Sequence, residues 1–256
     1  MSKVAVLIPT RLKSSRLPNK PLAIINGKPL LQHVYEHAAK VHPVEDIYIA
    51  AGDQEIVDIA KTFDAKAVLT DPNLPSGTDR IVAAMKQIDP DETRYDTVVN
   101  FQGDGINVDP KLNLRLVELL DKTGADWMTV GKKITDSNDI QNPAMVKIAM
   151  GLRDGEDYGR ALYFSRSPVP FNREENACTQ AYWHIGIYVY RLKALKAFVS
   201  ASEGVLEKTE KLEQLRALEN GMKIYALIVP SVKLIEEAPA DINTPEELAA
   251  AQKFLF

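Results

Sequence analysis

The chain of 256 residues contains a single cysteine, Cys178, and no acidic side chain among its first 35 residues. One cysteine excludes an intrachain disulfide and a cysteine-rich metal site, and it indicates a reducing compartment. No apolar run approaches the roughly 18 residues that a membrane-spanning helix needs. The N-terminus leads into a predicted strand without a signal-peptide pattern. We therefore expect a cytoplasmic protein with no membrane partner.

The charge of the chain is distributed unevenly. The formal net charge is -4, which disfavours a general nucleic-acid surface, because such surfaces attract basic proteins. The first 35 residues nevertheless contain six lysines and arginines, and five of these fall between Arg11 and Lys28. This concentration predicts a local binding site for a small anionic partner.

Apolar runs alternate with amphipathic helical patterns through the first half of the chain. This alternation is typical of βαβ units on a mostly parallel sheet, and so of an α/β fold. The patterns predict strands at residues 4–9, 46–51, 66–70 and 97–101, and helices at residues 29–40, 54–63, 78–87 and 110–121. The length and the 45% hydrophobic content suit one principal domain over residues 1–256.

The pattern changes after Trp127, where short apolar runs predict a small β embellishment at about residues 132–190. Strands are predicted at residues 144–150, 161–164, 182–190 and 223–229. A single helix is predicted over residues 206–219, ended by Asn220-Gly221 as a C-cap. The last helix is predicted to open with Thr244 as its N-cap and Pro245 at its first position.

The basic loop, residues 11–22, follows the first predicted strand directly. Ligands of open α/β sheets bind at the carboxyl ends of the strands. The fixed cations Arg11, Arg16 and Lys20, with the hydroxyls of Ser14 and Ser15, suit a polyphosphate, whose oxygens accept charge-assisted bonds. A solvated basic face is the alternative interpretation. The sequence lacks the Gly-x-Gly-x-x-Gly fingerprint here, which argues against a dinucleotide site.

Asp104 follows the strand at residues 97–101, so its carboxylate is expected at the same sheet edge as the basic loop. Mg²⁺ is typically held by one or two carboxylates together with phosphate oxygens, so Asp104 is a candidate metal ligand. The alternative is an aspartate that caps the following turn. Ser76-Gly77-Thr78-Asp79-Arg80 opens a helix, either as a simple cap or as a source of donors for a nucleotide. Taken singly, His184 and Glu213 are more typical of a structural histidine and a solvated glutamate.

Six motifs, in order along the chain, together resemble the CMP-Kdo synthetase family, the 3-deoxy-manno-octulosonate cytidylyltransferases. The motifs are Arg11-x4-Arg16-x-Pro18-x-Lys20-Pro21-Leu22, Ser76-Gly77-Thr78-Asp79-Arg80, Gln102-Gly103-Asp104, Tyr163-Phe164-Ser165-Arg166, His184-x-Gly186-Ile187-Tyr188 and Leu212-Glu213-Gln214-Leu215-Arg216. Six motifs in order are far more specific than any one of them.

The resemblance implies a Rossmann-like nucleotidyltransferase fold, with a mostly parallel central sheet and a small mixed β subdomain through which a homodimer forms. It implies Mg²⁺-dependent transfer of CMP from CTP to Kdo or a close analogue, with release of pyrophosphate, for lipopolysaccharide or capsule biosynthesis. It also implies roles for residues of this chain. Arg11, Lys20 and Asp104 would be catalytic, the nucleotide would be bound by Arg11, Ser14, Arg16, Lys20, Ser76, Arg80 and Gln102, and the sugar by Arg166, His184, Tyr188, Glu213 and Gln214.

Two departures from the family pattern concern the metal. The chain has Gly105-Ile106-Asn107 where the family continues with Glu-Pro, and it has Asn243 where the family has a metal-binding aspartate. A neutral amide binds Mg²⁺ more weakly than a carboxylate does. Asp241 would point to the same side as Asn243 in an extended segment. We therefore predict a metal site of Asp104, Asp241 and Asn243, in which Asp241 shares the ion with Asp104.

Two further functions stay open at this point. The altered stretch after Asp104 favours a cytidylyltransferase for another acceptor, such as an 8-amino Kdo analogue, a different sugar acid or a phosphonate. Asn243 favours a nucleotide-binding homologue with impaired catalysis. This last interpretation ranks lowest, because a protein released from catalysis has no evident reason to keep so many mutually repelling cations in one loop.

Overall fold

The computed structural model describes residues 2–14, 16–173 and 180–254, so Ser15 and Cys178 lie outside the described residues. The chain divides into two compact units, one of residues 1–115 with 232–256 and the other of residues 116–231. The segment at about 132–190 falls within the second unit. The predicted single-domain organisation, and the predicted role of that segment in dimerisation, stay predictions.

The first unit is built on a parallel sheet. Its strands are β1 (Val4–Thr10), β2 (Ile24–Ile25), β3 (Lys28–Pro29), β4 (Ile47–Ala51), β5 (Lys66–Leu69) and β6 (Thr97–Asn100), and its helices are α1 (Leu30–Ala39), α2 (Gln54–Lys61), α3 (Gly77–Ile88) and the start of α4 (Lys111–Thr123). The sheet order is β5-β4-β1-β6, and β2 pairs with β3 as a small hairpin. Every predicted strand and helix of this half is present, within two residues of its predicted ends.

The burial of these strands explains why the sequence predicts the secondary structure of this half correctly. Residues 5–8 of β1 are at most 1% exposed, and β1 pairs in parallel with both β4 and β6. A parallel strand covered on both faces reads as a continuous apolar run. A helix precedes each of β4, β5 and β6, because parallel neighbouring strands need crossover connections. The result is a sheet edge at which the loops after β1, β4 and β6 meet.

The second unit contains a mixed sheet. Its strands are β7 (Trp127–Lys133), β8 (Lys147–Gly151), β9 (Tyr158–Ser165), β10 (Tyr182–Arg191) and β11 (Ile224–Val229), and its helices after α4 are α5 (Ser137–Gln141), α6 (Leu192–Ser200), α7 (Val205–Glu210) and α8 (Glu213–Glu219). Strand β7 pairs in parallel with β11 and antiparallel with β10, and β9 pairs antiparallel with β8 and β11. The core centres on Trp127, whose ring meets Tyr190 and Phe198 edge-on.

One helix predicted in this unit is wrong. Residues 206–219 form two helices, because Lys211 adopts a left-handed backbone conformation with a φ of 55°. The break lets Arg216 form a bidentate ion pair with Glu207, at 2.6 Å for both contacts. Residues nine apart lie on opposite faces of a continuous helix, so one helix would separate these two side chains. The sequence patterns also missed β7 and α6.

The last helix, α9 (Pro245–Phe254), returns to the first unit. Its predicted start is correct, and the structure adds a reciprocal capping box. The N–H of Glu247 donates to Oγ1 of Thr244 at 3.2 Å, while Oε2 of Glu247 accepts from the N–H of Thr244 at 3.0 Å. The cap fixes the segment that immediately precedes it, residues 241–243.

Candidate active site

A cavity of about 460 Å³ opens in the first unit at the carboxyl edge of the sheet. The predicted nucleotide-binding residues all line it, as do Asp104 and Asn243. Its lining residues are Pro9, Thr10, Arg11, Lys13, Ser14, Arg16, Lys20, Pro21, Ser76, Gly77, Arg80, Asn100, Gln102, Gly103, Asp104 and Asn243. The fold therefore brings together residues from four separate stretches of the chain: 9–21, 76–80, 100–104 and Asn243.

The basic loop is fastened to the loop after β4. The N–H of Leu12 donates to Oδ2 of Asp53 at 2.8 Å, and the N–H of Gly52 donates to the carbonyl oxygen of Thr10 at 2.9 Å. Arg11 and Arg16 remain exposed, and Lys20 is half-buried. The loop is thus anchored at its beginning while its cations face the cavity.

Lys20 lies at the centre of a polar cluster. Its Nζ donates to Oδ2 of Asp104 at 2.6 Å and to Oδ1 of Asn243 at 3.2 Å. Arg16 also donates to Oδ1 of Asn243, at 3.1 Å from Nη2. The lysine and aspartate side chains are 19% and 20% exposed, so solvent screens this ion pair only in part. The structure thereby connects the basic loop directly to two of the three predicted metal ligands.

Asp241 stands beside this cluster. Burial and the negative charge of Asp104 raise the pKa of Asp241 to about 6, against a lowering influence of Lys20. The segment is held by the N–H of Ile242, which donates to the carbonyl oxygen of Asp104 at 3.1 Å. Two carboxylates that repel each other beside a single ammonium make a site that would gain from a further cation.

The unusual stretch after Asp104 has a structural explanation. A Cβ added at Gly105 would stand 3.4 Å from Oδ1 of Asp241, so a glutamate here would crowd that carboxylate with a second one. Asn107 is fully buried. Its amide donates to the carbonyl oxygens of Ile235 and Ala238 and accepts from the N–H of Ile235. Asn107 thus ties this stretch to the segment that leads to Asp241.

Ser76 is the N-cap of α3, as one interpretation of its motif predicted. Its Oγ accepts from the N–H of Asp79 at 3.1 Å and donates to Oδ2 of Asp79 at 2.6 Å. Because Ser76 also lines the cavity, the cap places the N-terminus of a 12-residue helix at the site. Helix N-termini favour negative charge, which suits a phosphate or another polar group of a nucleotide.

Arg80 is 2% exposed, although it carries a charge. Its Nη1 donates to Oγ1 of Thr70 at 2.6 Å and to the carbonyl oxygen of Asp71 at 3.2 Å, while its Nη2 has no hydrogen-bond partner among the described residues. Burial and the nearby Arg11 lower the pKa of Arg80. A buried donor without a partner is costly, and this one belongs to a residue of the cavity wall.

Gly52 makes room for that guanidinium. A Cβ at this position would stand 2.7 Å from Nη1 of Arg80 and 3.0 Å from Cβ of Arg11. The sequence patterns did not point to Gly52 and Asp53, which support the site from behind, or to Asn100, which lines the cavity. Gly52 and Asp53 directly follow β4, and Asn100 is the last residue of β6. These positions could have identified them, because the ends of both strands lie at the same sheet edge as the basic loop.

The five residues predicted to bind the sugar lie in the second unit. His184 is held between Oγ1 of Thr129, 3.1 Å from Nε2, and Nε2 of Gln214, 3.5 Å from Nδ1. Burial lowers the pKa of His184 to about 3, so its ring is neutral at physiological pH. The ring of Tyr188 lies 5.5 Å from that of His184, and burial raises the pKa of Tyr188, with a smaller contribution from Glu213.

Arg166 belongs to a different group of side chains in the same unit. Its Nε donates to the carbonyl oxygen of Glu210 at 2.8 Å, and its Nη1 donates to that of Pro143 at 3.0 Å. The structure thus gathers His184, Tyr188 and Gln214 and gives Arg166 backbone partners elsewhere. The predicted sugar contacts of all five residues stay predictions.

Neither a dense metal cluster nor a membrane span occurs in the part of the chain that the structure describes. No three or more histidines, cysteines or acidic residues are grouped there in a way that could hold a metal ion. No helix among those residues has the length and apolar character needed to cross a membrane.

Comparison with known proteins defines the class. A family model described as cytidylyltransferase matches residues 5–224, so the protein is a nucleotidyltransferase. The 3-deoxy-manno-octulosonate cytidylyltransferase of Paramagnetospirillum magneticum is 42% identical over 96% of this chain and 97% of its own length. The 8-amino-3,8-dideoxy-manno-octulosonate cytidylyltransferase of Shewanella putrefaciens is also 42% identical, over 97% of this chain and 99% of its own.

A solved structure gives the same result. CMP:2-keto-3-deoxy-manno-octonic acid synthetase, complexed with CTP, superposes with a TM-score of 0.86 and 34% identity, over 99% of this chain and 98% of that one. The chain belongs to the CMP-Kdo synthetase family. The family resemblance and the α/β nucleotidyltransferase fold predicted from the sequence are confirmed.

Proposed function

We propose that this enzyme transfers CMP from CTP to a 3-deoxy sugar acid, Kdo or its 8-amino analogue, and releases pyrophosphate. The observation that supports this best is the contact of Lys20 with Asp104 in a cavity lined by further cations. A triphosphate needs several positive charges, and a carboxylate among them is useful if it binds a divalent cation. The CTP complex of the related synthetase agrees with this proposal.

The residues present fit a magnesium ion. Asp104 and Asp241 provide carboxylates that repel each other, and Asn243 provides an amide oxygen that already accepts from two cations. Hard oxygen ligands of this kind, few in number and completed by phosphate oxygens, are typical of Mg²⁺ sites. When bound, Mg²⁺ would neutralise charge on the phosphates and lower the barrier to attack on the α-phosphorus. In this proposal Asp241 takes the place of the family's second aspartate.

The chemistry needs no nucleophile from the protein, because the anomeric hydroxyl of the sugar attacks the α-phosphorus in line. The protein brings two anionic substrates together and stabilises the leaving pyrophosphate. Arg11, Arg16 and Lys20, with Ser14, bind the triphosphate. Ser76, Arg80 and Gln102 hold the cytidine half. Lys20, which contacts Asp104 in the structure, would donate to the phosphates of the bound nucleotide.

The comparisons leave two candidate acceptors, Kdo and its 8-amino analogue. The relative from Paramagnetospirillum magneticum, named for Kdo, and the relative from Shewanella putrefaciens, named for the 8-amino analogue, are each 42% identical to this chain. In our proposal His184, Tyr188, Glu213 and Gln214 face the sugar, and Arg166 leaves its backbone partners to meet the carboxylate. A neutral His184 acts there as a hydrogen-bonding residue and not as a charge. The enzyme works as a cytoplasmic homodimer and supplies lipopolysaccharide or capsule synthesis.

Pyrophosphate release tests this function. The purified enzyme is incubated with CTP, Mg²⁺ and either Kdo or 8-amino Kdo, and acceptor-free reactions serve as blanks. We expect release that depends on acceptor and metal, and the faster acceptor identifies the substrate. CTP binding without release from either acceptor would instead favour another acceptor or the impaired homologue. Absence of CTP binding would refute the proposal altogether.

A further inference from the structure

Arg216 ends the last of the six sequence motifs, yet it is not among the residues predicted to bind the nucleotide or the sugar. It lies on α8, and its Nε and Nη2 each donate to a carboxylate oxygen of Glu207 on α7 at 2.6 Å. The two side chains are only 14% and 6% exposed. The guanidinium also lies over the ring of Phe198, 4.5 Å from its centroid. This ion pair is therefore bidentate, largely buried and packed against the core of the second unit.

A gain in stability does not by itself explain a buried ion pair. Taking two charges out of water is costly, and apolar side chains of similar volume are often equally stable in their place. A contact between apolar side chains is non-directional, however. The forked guanidinium of Arg216 and the carboxylate of Glu207 fix both the distance and the orientation of the groups that carry them. The pair thus imposes a defined geometry on α7 and α8.

The two helices join at an elbow, residues 210–213, where Lys211 has its left-handed conformation. They are also connected at the far end. The carboxylate of Glu219 on α8 accepts from the N–H of Leu206 and from that of Glu207 on α7, at 3.1 Å and 3.4 Å. The elbow, the Glu219 contacts and the ion pair together hold α7 and α8 as one hairpin of helices.

The two sides of the elbow contact the two groups of predicted sugar-binding residues. On the side of α7, the carboxylate of Glu210 accepts from the N–H of Arg166 at 2.9 Å, and its carbonyl oxygen accepts from Nε of Arg166 at 2.8 Å. On the side of α8, Nε2 of Gln214 lies 3.5 Å from Nδ1 of His184. The orientation of α7 relative to α8 therefore decides the position of Arg166 relative to Gln214.

We propose that Glu207 and Arg216 are positioning residues of the acceptor site, whose ion pair sets the angle between α7 and α8 and so keeps Arg166 and Gln214 at the spacing that the sugar acid requires. This inference rests on the proposed function. Neither member of the pair contacts the substrate, because its effect passes through the elbow. Loss of the pair should therefore impair use of the acceptor and spare CTP binding, whose proposed residues belong to the first unit.

The first test uses the full-length double variant Glu207→Leu/Arg216→Met. It leaves no buried charge without a partner, so its melting temperature should stay close to that of the wild type. Pyrophosphate release is measured well below that temperature, at saturating CTP and Mg²⁺, with varied Kdo or 8-amino Kdo. We expect kcat/KM for the acceptor to fall about ten- to hundredfold. CTP affinity, from equilibrium titration, should stay as in the wild type.

Arg216→Lys is a second variant, which keeps the charge and loses the forked geometry. It should also lower the acceptor kcat/KM, by less than the double variant does, and it decides the question if the double variant does not fold. The control is Asp121→Leu/Arg191→Met. It removes another ion pair of the second unit, also at 2.6 Å, from residues outside the elbow. This control should keep the acceptor kcat/KM within about twofold of the wild type.

A double-mutant cycle with Arg166→Ala separates positioning from a merely structural role. In the wild type this substitution removes a side chain that is held in place for the sugar acid. Without the ion pair, Arg166 is already displaced, so the same substitution should cost less. We expect the fold-loss of kcat/KM caused by Arg166→Ala to be at least about threefold smaller in the double variant than in the wild type.

Four results would overturn the inference. These are a wild-type acceptor kcat/KM in the double variant or, should that variant not fold, in Arg216→Lys; an equal loss in the control pair; a parallel loss of CTP affinity; and effects of Arg166→Ala that simply multiply with those of the double variant. Failure of the proposed function has a different appearance. A wild-type protein that releases no pyrophosphate with either acceptor would refute that function and this inference with it, whereas an active wild type with unaffected variants would refute the inference alone.

Discussion

Lys20→Met is the substitution that tests the proposed site most directly. In the structure Nζ of Lys20 lies 2.6 Å from Oδ2 of Asp104 and 3.2 Å from Oδ1 of Asn243. Methionine keeps most of the length and apolar character of the side chain and removes the charge and all three donors. The change therefore affects electrostatics much more than packing.

The expected magnitudes follow from this geometry. A hydrogen bond to a charged group contributes about 1.5–3 kcal/mol, and the remaining exposure of both side chains reduces this to about 1–2 kcal/mol. In a protein of this size such a loss lowers the melting temperature by roughly 2–8 °C. Loss of one preorganised donor to the leaving pyrophosphate lowers the transfer rate about a hundred- to a thousandfold. Catalysis should thus suffer far more than stability.

The assay is pyrophosphate release under saturating CTP, acceptor and Mg²⁺, combined with thermal unfolding of the same samples. Lys13→Met is the matched control, because Lys13 lines the same cavity in the same loop but is exposed. We expect the control to lose about tenfold or less in rate. A transfer rate of Lys20→Met within about fivefold of the wild type, or an equal loss of activity in both variants, would refute this role of Lys20.

Three further predictions concern other parts of the site. Gly52→Ala places a Cβ 2.7 Å from Nη1 of Arg80 and should weaken CTP binding about tenfold or more in equilibrium titrations, whereas Gly77→Ala, whose nearest contact is 3.6 Å, should not. Asp241→Asn should abolish most Mg²⁺-dependent activity, yet raise the free energy of unfolding at pH 7 by about 1–3 kcal/mol. The pKa of this carboxyl rises to about 6 on folding, so the wild type loses stability as the pH rises from about 4 to 6. In chemical denaturation the advantage of the variant should vanish near pH 4. His184→Leu should reduce acid sensitivity, because burial lowers the pKa of His184 to about 3 and the unfolded chain binds the proton more tightly. Between pH 7 and pH 5 the wild type should lose about 2 kcal/mol more than the variant.

Each of these predictions can be contradicted cleanly. Equal effects of the two glycine variants would show that the guanidinium of Arg80 is not held by the space at Gly52. Full Mg²⁺-dependent activity of Asp241→Asn would remove that residue from the metal site. Parallel stability curves for the wild type and His184→Leu between pH 7 and pH 5 would show that the ring takes up its proton without penalty.

The first half of the fold was readable from the sequence because its signals are local. Strands buried on both faces appear as continuous apolar runs, and amphipathic helices alternate with them. The same reasoning failed for residues 206–219, where helix-forming residues continue across Lys211. The helix is interrupted at Lys211, where Glu207 and Arg216 form a buried ion pair, and the helix propensities of the neighbouring residues do not predict this interruption.

The residues of the candidate site also differ in whether the sequence alone could identify them. The sequence by itself determined the basic loop, the aspartate after β6 and the capping residues, since each is a short pattern next to a strand or helix end. Only the tertiary structure decided that Lys20 contacts Asp104, 84 residues away, and that Asn243 accepts from Lys20 and Arg16. It alone placed Asn100 in the wall of the cavity and made Gly52 the space for Arg80. These are contacts between distant strand ends, and a parallel sheet brings such ends together only once the crossovers have formed.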